Sequence, residues 1–176
     1  MFKDATKHSL ILLTALFLTF LWVENPFLVD FSLQLTAALI IFLVLAHKIF
    51  KIRSFLLTES TVSVISVALI TSATGGLTSP FFFLNLFLLF ELSLLLEPSI
   101  AIILTLSLMV FYLFTNQVGP SLYNLTAFLS FLFMTPLAYL VGNIYRKVIN
   151  QRKEINNLSR KIENLEYGTE FPVIKS

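Results

Sequence analysis

The 176 residues include no cysteine. That excludes a disulfide framework, a thiolate metal site and a cysteine nucleophile. Histidine is nearly absent as well. His8 and His47 stand on either side of the first predicted hairpin and do not form a ligand pair, so no metal site is read. Charge is scarce, at 12% of residues, and the formal net charge of +2 gives no reason to expect a nucleic-acid partner. There is no Gly-x-Ser-x-Gly elbow, no His-Glu-x-x-His and no phosphate-binding glycine loop. The chain therefore reads as a non-enzyme without catalytic residues.

Apolar side chains fill the space these absences leave. The chain is 57% hydrophobic, with a mean hydropathy of +0.88. A soluble domain of this length could not hide so much apolar surface, so lipid must be the solvent for most of it. The apolar residues fall into six runs: Ser9–Val23, Phe31–Ala46, Leu57–Thr74, Phe81–Leu96, Ser99–Thr115 and Leu125–Ile144. All 12 basic residues avoid them. Lys3 and Lys7 precede run one. Lys48, Lys51 and Arg53 follow run two. The remainder, from Arg146 to Lys175, follow run six. If the runs are six spans, connectors with and without bases alternate, and the positive-inside rule sets both termini in the cytoplasm of a multi-pass cell-membrane protein.

At ~1.5 Å per residue the runs measure roughly 22–30 Å, so several are short for a hydrocarbon core of ~30 Å. Only Glu97-Pro98 separates runs four and five. The pair is either a tight helical hairpin or a re-entrant segment. Run one ends without a small-residue cleavage site and reads as a retained signal anchor, with Trp22 at the outer interface.

In run three, Ala68, Ser72 and Gly76 recur at spacing four and make a flat face for close helix approach, as in a central helix. Ser60, Ser63 and Ser66 fall on another side. Run six contains Pro136, which removes the bond to the Leu132 carbonyl and predicts a kink. Beyond it the apolar period becomes a heptad through Val141, Ile144, Val148, Gln151, Ile155, Leu158, Ile162 and Leu165. β-Branched residues alternating with leucine favour a parallel two-stranded coil, with Val148, Ile155, Leu158, Ile162 and Leu165 as dimerisation residues. The alternative is a single amphipathic helix lying on lipid head groups. Gly168 and Pro172 are expected to end the helix. The fold class is thus an all-α polytopic membrane helix bundle of about six transmembrane helices with a cytoplasmic C-terminal coiled-coil helix. It divides into a six-span domain over 1–144, the signalling helix over 145–167 and a disordered tail over 168–176.

Polar residues inside the runs are the candidate functional groups, because a carboxylate in lipid costs a few kcal/mol unless paired, protonated or near water. Glu91 lies within Phe-Leu-Leu-Phe-Glu-Leu-Ser. Glu59, one turn into run three, can snorkel to the interface or share an inner-half site with Glu91, His47 or Lys48. Gln34 and Asn85, in the outer half, are expected to form inter-helix hydrogen bonds. Between runs three and four stands Gly75-Gly76-Leu77-Thr78-Ser79-Pro80-Phe81. Its glycines can turn the chain with positive φ, Ser79 can cap the next helix and Pro80 fits that helix's first turn.

Gly-Gly-x-x-Ser-Pro-Phe at the outer junction of two spans, a six-span bundle and a last span running into a basic heptad helix together resemble the N-terminal membrane input region of bacterial sensor histidine kinases. The resemblance covers roughly residues 9–166. It implies a sensory module whose ligand or membrane stimulus is met by Gly75, Gly76, Ser79, Pro80, Phe81 and Asn85, with Glu91 and Glu59 as further candidates. Redox-sensing members, implicated in quinone sensing, carry asparagine before the proline where this chain has Ser79. No histidine follows His47 and no nucleotide-binding segment follows the coil, so the chain has no kinase core and the effector would be a histidine kinase or other signalling protein on a separate chain. The competing expectation is a small transporter or transporter subunit that uses Glu91 and Glu59 as ion or proton sites.

Overall fold

The computed structural model describes residues 2–50, 56–115 and 122–169. It contains seven α-helices and, among the described residues, no strand. They are α1 (Phe2–Glu24), α2 (Pro26–Val29), α3 (Ser32–Phe50), α4 (Leu56–Ala73), α5 (Phe83–Leu95), α6 (Pro98–Phe114) and α7 (Leu122–Thr169), with a 3-10 turn at Gly76–Thr78. The chain divides into two units, one ending at Gly142 and the other beginning at Asn143.

In the first unit the cross-helix contacts fix the helix directions. Phe20, near the C-terminal end of α1, meets Phe111 and Phe114 at the C-terminal end of α6 edge-on, so these two packed helices run the same way. Ser63 pairs with Glu91 and Thr71 with Asn85, so α4 and α5 are antiparallel. Pro98 at the start of α6 lies against Gly142 and Thr105 reaches Thr135, which sets α7 antiparallel to α6. This alternation brings Lys7, Glu59, the α5–α6 turn and Gly142 to one end of the bundle. The α1–α3 connection, the Gly75 turn and Phe114 lie at the other.

The exterior is apolar, unlike that of a water-soluble protein, and the interior mixes apolar with polar side chains. Phe17, Phe87, Leu106, Leu132 and Phe133 are each about three-fifths exposed or more, at 59, 67, 59, 62 and 69%. The buried set includes Ser60, Thr71, Asn85, Ser93, Thr105 and Thr135. A contiguous apolar exterior of this kind is unfavourable in water and favourable in hydrocarbon. Among the described residues, three helical stretches are long and apolar enough to cross a membrane: Thr6–Glu24, Leu56–Ala73 and Asn124–Leu165. Three others, Ser32–Ala46, Phe83–Leu95 and Pro98–Phe114, are apolar but shorter. The 13 residues of α5 and 17 of α6 measure about 20 and 26 Å, less than the ~30 Å core. Runs four and five thus form two helices packed on each other as a tight hairpin, with Pro98 as the first residue of α6.

Helix α4 is the central element. It packs on α1, α3 and α5, and no residue from Glu59 to Ser72 is exposed. Small residues permit this, since lipid supplies no hydrophobic drive between helices and backbones must approach for dispersion to act. The bundle-facing stripe of α7 follows the same rule. Its buried positions are Asn124, Ala127, Phe131, Thr135, Ala138 and Gly142, three or four residues apart. The helix continues through Pro136.

Three sequence expectations are corrected, at Gln34, Ser79 and Pro80. Gln34 is exposed and turns its amide to the carbonyls of Asp30 and Phe31, so it satisfies the chain just before α3 and does not bridge helices. Ser79 does not cap α5 and Pro80 does not lie in its first turn, since the helix begins at Phe83 after Phe82 as its N-cap. The Ser79 hydroxyl instead accepts from the Phe81 N–H at 3.0 Å, a tighter turn two residues on.

In the second unit α7 continues to Thr169, one residue past Gly168. Val148, Ile155, Leu158, Ile162 and Leu165 are all exposed, and the expected tail beyond 169 lies outside the described residues.

Candidate functional site

The predicted polar residues gather at two places in the first unit. One is built at the turn between α4 and α5. Gly75 has φ +116° and Gly76 φ +61°, values an L side chain rarely adopts, and these let the chain reverse within a few residues. The reversal places Ser79 beside Thr74, their hydroxyl oxygens 2.5 Å apart. Thr74 donates its proton to the Ile70 carbonyl at 2.6 Å, so Ser79 is the donor to Thr74 while accepting from Phe81. Pro80 and Phe81 face outward. Phe82 takes the inward place, 8% exposed, with its ring 5.2 Å from Phe131 and 6.2 Å from Tyr112.

One turn further in, Asn85 is completely buried. Its Nδ2 donates to Thr71 Oγ1 at 3.3 Å and to the Phe82 carbonyl at 3.2 Å, which makes the inter-helix bond expected of it. Thr71 passes its own proton to the Val67 carbonyl at 2.6 Å. The Tyr112 hydroxyl of α6 lies beside Thr71 and Asn85. Neither that hydroxyl nor Asn85 Oδ1 has a hydrogen-bond partner. Four elements thus converge on a polar centre enclosed by aromatic rings. A buried polar group without a closed hydrogen bond is costly in low dielectric, and a small shift toward Thr71 or Asn85 would satisfy the Tyr112 hydroxyl.

The second place is at the other end of the bundle. Ser63 donates to Glu91 Oε1 at 3.4 Å, and Glu59 stands one turn before Ser63 on α4. The expected proximity of the two glutamates within this half is therefore present. Lys48 is exposed, and the side chain of His47 lies outside the described residues. No group of three metal-ligating His, Cys, Asp or Glu occurs among the described residues.

Sequence reasoning missed Thr71, Thr74, Phe82 and Tyr112 at the first place. The available signal was a lone tyrosine inside the most apolar run and a threonine pair three residues apart. It also missed the polar contacts that hold α7. Ser93 donates to the Ala138 carbonyl at 2.7 Å, and the Thr105 and Thr135 hydroxyls are 2.6 Å apart. An Ala-x-x-x-Gly spacing at 138–142 was legible but overshadowed by Pro136.

A groove of about 460 Å³ between α1 and α6 is lined by Leu13, Phe17, Phe20, Leu106, Val110 and neighbours. Ser107, its polar residue, spends its proton on the Ile103 carbonyl at 2.7 Å. The groove suits hydrocarbon and contains none of the candidate residues. Comparison with protein-family models, curated proteins and solved structures finds no match for this chain.

Proposed function

We propose that the protein is a membrane-embedded sensory input module, with six apolar segments, both termini in the cytoplasm and an output carried by α7. The observation behind this reading is the two-part character of α7. Over 124–142 its buried stripe is made mostly of small residues fitted to neighbouring helices. Over 148–165 an exposed 3–4 apolar repeat continues without a break signal. A helix used only for anchoring has no need of the second part. A parallel two-stranded coil would bury it against a second copy. A stimulus that biases two arrangements of the bundle would then reach a cytoplasmic effector, such as a histidine kinase on another chain, through the coil.

The stimulus site in this reading is the polar centre at the Gly75 turn, with Asn85 as its buried polar group. Quinone is not part of the proposal. The hydroxyl of Ser79 already serves Thr74 and the Phe81 N–H, so it offers no uncommitted proton to a carbonyl ligand. Cysteines at Ile155 or Leu158 should cross-link between copies in native membranes, and cysteines at Asn157 or Arg160 should not. Equal cross-linking around the helix, or none, would sink the reading.

The second reading, a small transporter, draws on the proximity of Glu59 and Glu91 in the apolar interior. It predicts that Glu91→Gln abolishes solute or proton flux into proteoliposomes. The sensory reading predicts no flux for either protein.

A further inference from the structure

Two residues apart on a helix means about 200° around its axis, so the side chains face opposite neighbours. Glu91 and Ser93 of α5 are such a pair. Glu91 is turned to Ser63 of α4. Ser93 is fully buried and donates to the Ala138 carbonyl of α7 at 2.7 Å. One turn along α7, Gly142 lies so close to α5 that a Cβ there would overlap the Ser93 hydroxyl. It would also sit 2.8 Å from the Ser93 carbonyl oxygen and 3.2 Å from Pro98 Cγ. A contact that only glycine fits, with a buried hydrogen bond one turn away, cannot slide without breaking.

The third hold on α7 has an internal conflict. Thr105 approaches the Ala101 carbonyl at 2.8 Å, Thr135 the Phe131 carbonyl at 2.6 Å, and the two hydroxyls each other at 2.6 Å. Two protons can serve only two of these three contacts. Either threonine can therefore be the bridge donor, and this contact does not dictate one position of α7. Pro136 sits between Thr135 and the Ala138–Gly142 contacts and removes one backbone bond from the helix there.

We propose that α5 is the lever that sets α7. The Ser93–Ala138–Gly142 clamp ties α7 to the helix that carries Glu91, so a change at the Ser63–Glu91 contact reaches α7 through that clamp. The proposal rests on the sensory reading for its purpose, because it supplies the regulation of the output helix, but its test does not use the output. The natural chain has no cysteine, so spin labels go on at Ile41→Cys in α3 and Leu140→Cys in α7, both lipid-facing. Distances are measured by pulsed electron resonance in nanodiscs, diluted with unlabelled protein.

Ser63→Ala, which deletes the α4 hydroxyl and leaves both carboxyls, should shift the α3–α7 distance by about 1–2 Å, the scale of helix shifts in switching proteins. In a Ser93→Ala background the same change should produce no further shift. Gly142→Ala should shift the distance by itself. If that variant fails to insert, Ser93→Ala alone should, since it only removes a hydroxyl. Equal shifts from Ser63→Ala in both backgrounds would place the coupling outside the clamp and overturn the proposal. No shift from Ser63→Ala in the natural background would overturn it as well. A positive distance result together with absent cross-linking at Leu158 would keep the clamp and reject the sensory output. The two failures are thus separable.

Discussion

Tyr112 offers a test in which the sign of the effect matters more than its size. The residue is completely buried, and its ring lies 6.2 Å from Phe82, 5.3 Å from Phe111 and 6.5 Å from Phe131. Its hydroxyl has no hydrogen-bond partner. Tyr112→Phe keeps the ring and deletes only that oxygen. Inter-helix hydrogen bonds in membranes contribute about 0.6 kcal/mol on average and ~1.7 at most. With no bond to lose, Tyr112→Phe should be neutral to stabilising by up to ~1 kcal/mol, since it relieves an unsatisfied buried group. Tyr112→Ala should cost ~3–5 kcal/mol, because it leaves a cavity among three aromatic rings. Asn85→Ala should fall between them at ~1–2 kcal/mol, because it severs the side-chain bonds to Thr71 and to the Phe82 carbonyl, while that carbonyl keeps the backbone N–H of residue 85. The assay is reversible unfolding in mixed micelles titrated with a denaturing detergent, followed by helical circular dichroism. A Tyr112→Phe loss of ~0.6 kcal/mol or more would show that the hydroxyl carries an inter-helix bond, to Thr71 or Asn85. A Tyr112→Ala loss as small as that of Tyr112→Phe would refute the tight aromatic enclosure.

Reporter fusions after Leu165 and within 48–53 should read as cytoplasmic, and one within Gly75–Ser79 as external; a cytoplasmic signal from that turn would defeat the topology. Ile155→Asp with Leu158→Asp should abolish cross-linking of a reporter cysteine at Ile162 while leaving membrane insertion intact, because lipid burial of the bundle does not depend on the heptad. Gly75→Ala should lose ~1–2 kcal/mol in the same unfolding assay, since φ +116° disfavours any L side chain. Gly75→Asn, more tolerant of positive φ, should lose less, and equal losses would place the cost in the 3.1 Å approach to Thr78 Oγ1 rather than in the backbone.

The helical class, the lipid environment and the apolar segments were legible in the chain itself, because each follows from local chemistry. An uninterrupted apolar run must be helical in lipid, and two glycines before Ser-Pro must turn. The central place of α4 was also legible, since small residues around most of a helix leave it nothing to offer lipid. Glu59 and Glu91 could be placed in the same half of the bundle because alternating runs fix depth. What the chain could not show is which residues meet across helices. Depth is one-dimensional, whereas contact depends on the rotation of each helix about its axis. In a chain apolar on every face, hydrophobic periodicity does not report that rotation. Hence Gln34, polar and at the right depth, proves to serve its own backbone, whereas Tyr112 turns inward beside Asn85. The clamp at Ser93, Ala138 and Gly142 was hidden for the same reason: each is an unremarked small residue until two backbones are brought within van der Waals distance. Only the tertiary structure decides that, because the closeness belongs to the pair of helices and to neither sequence segment alone.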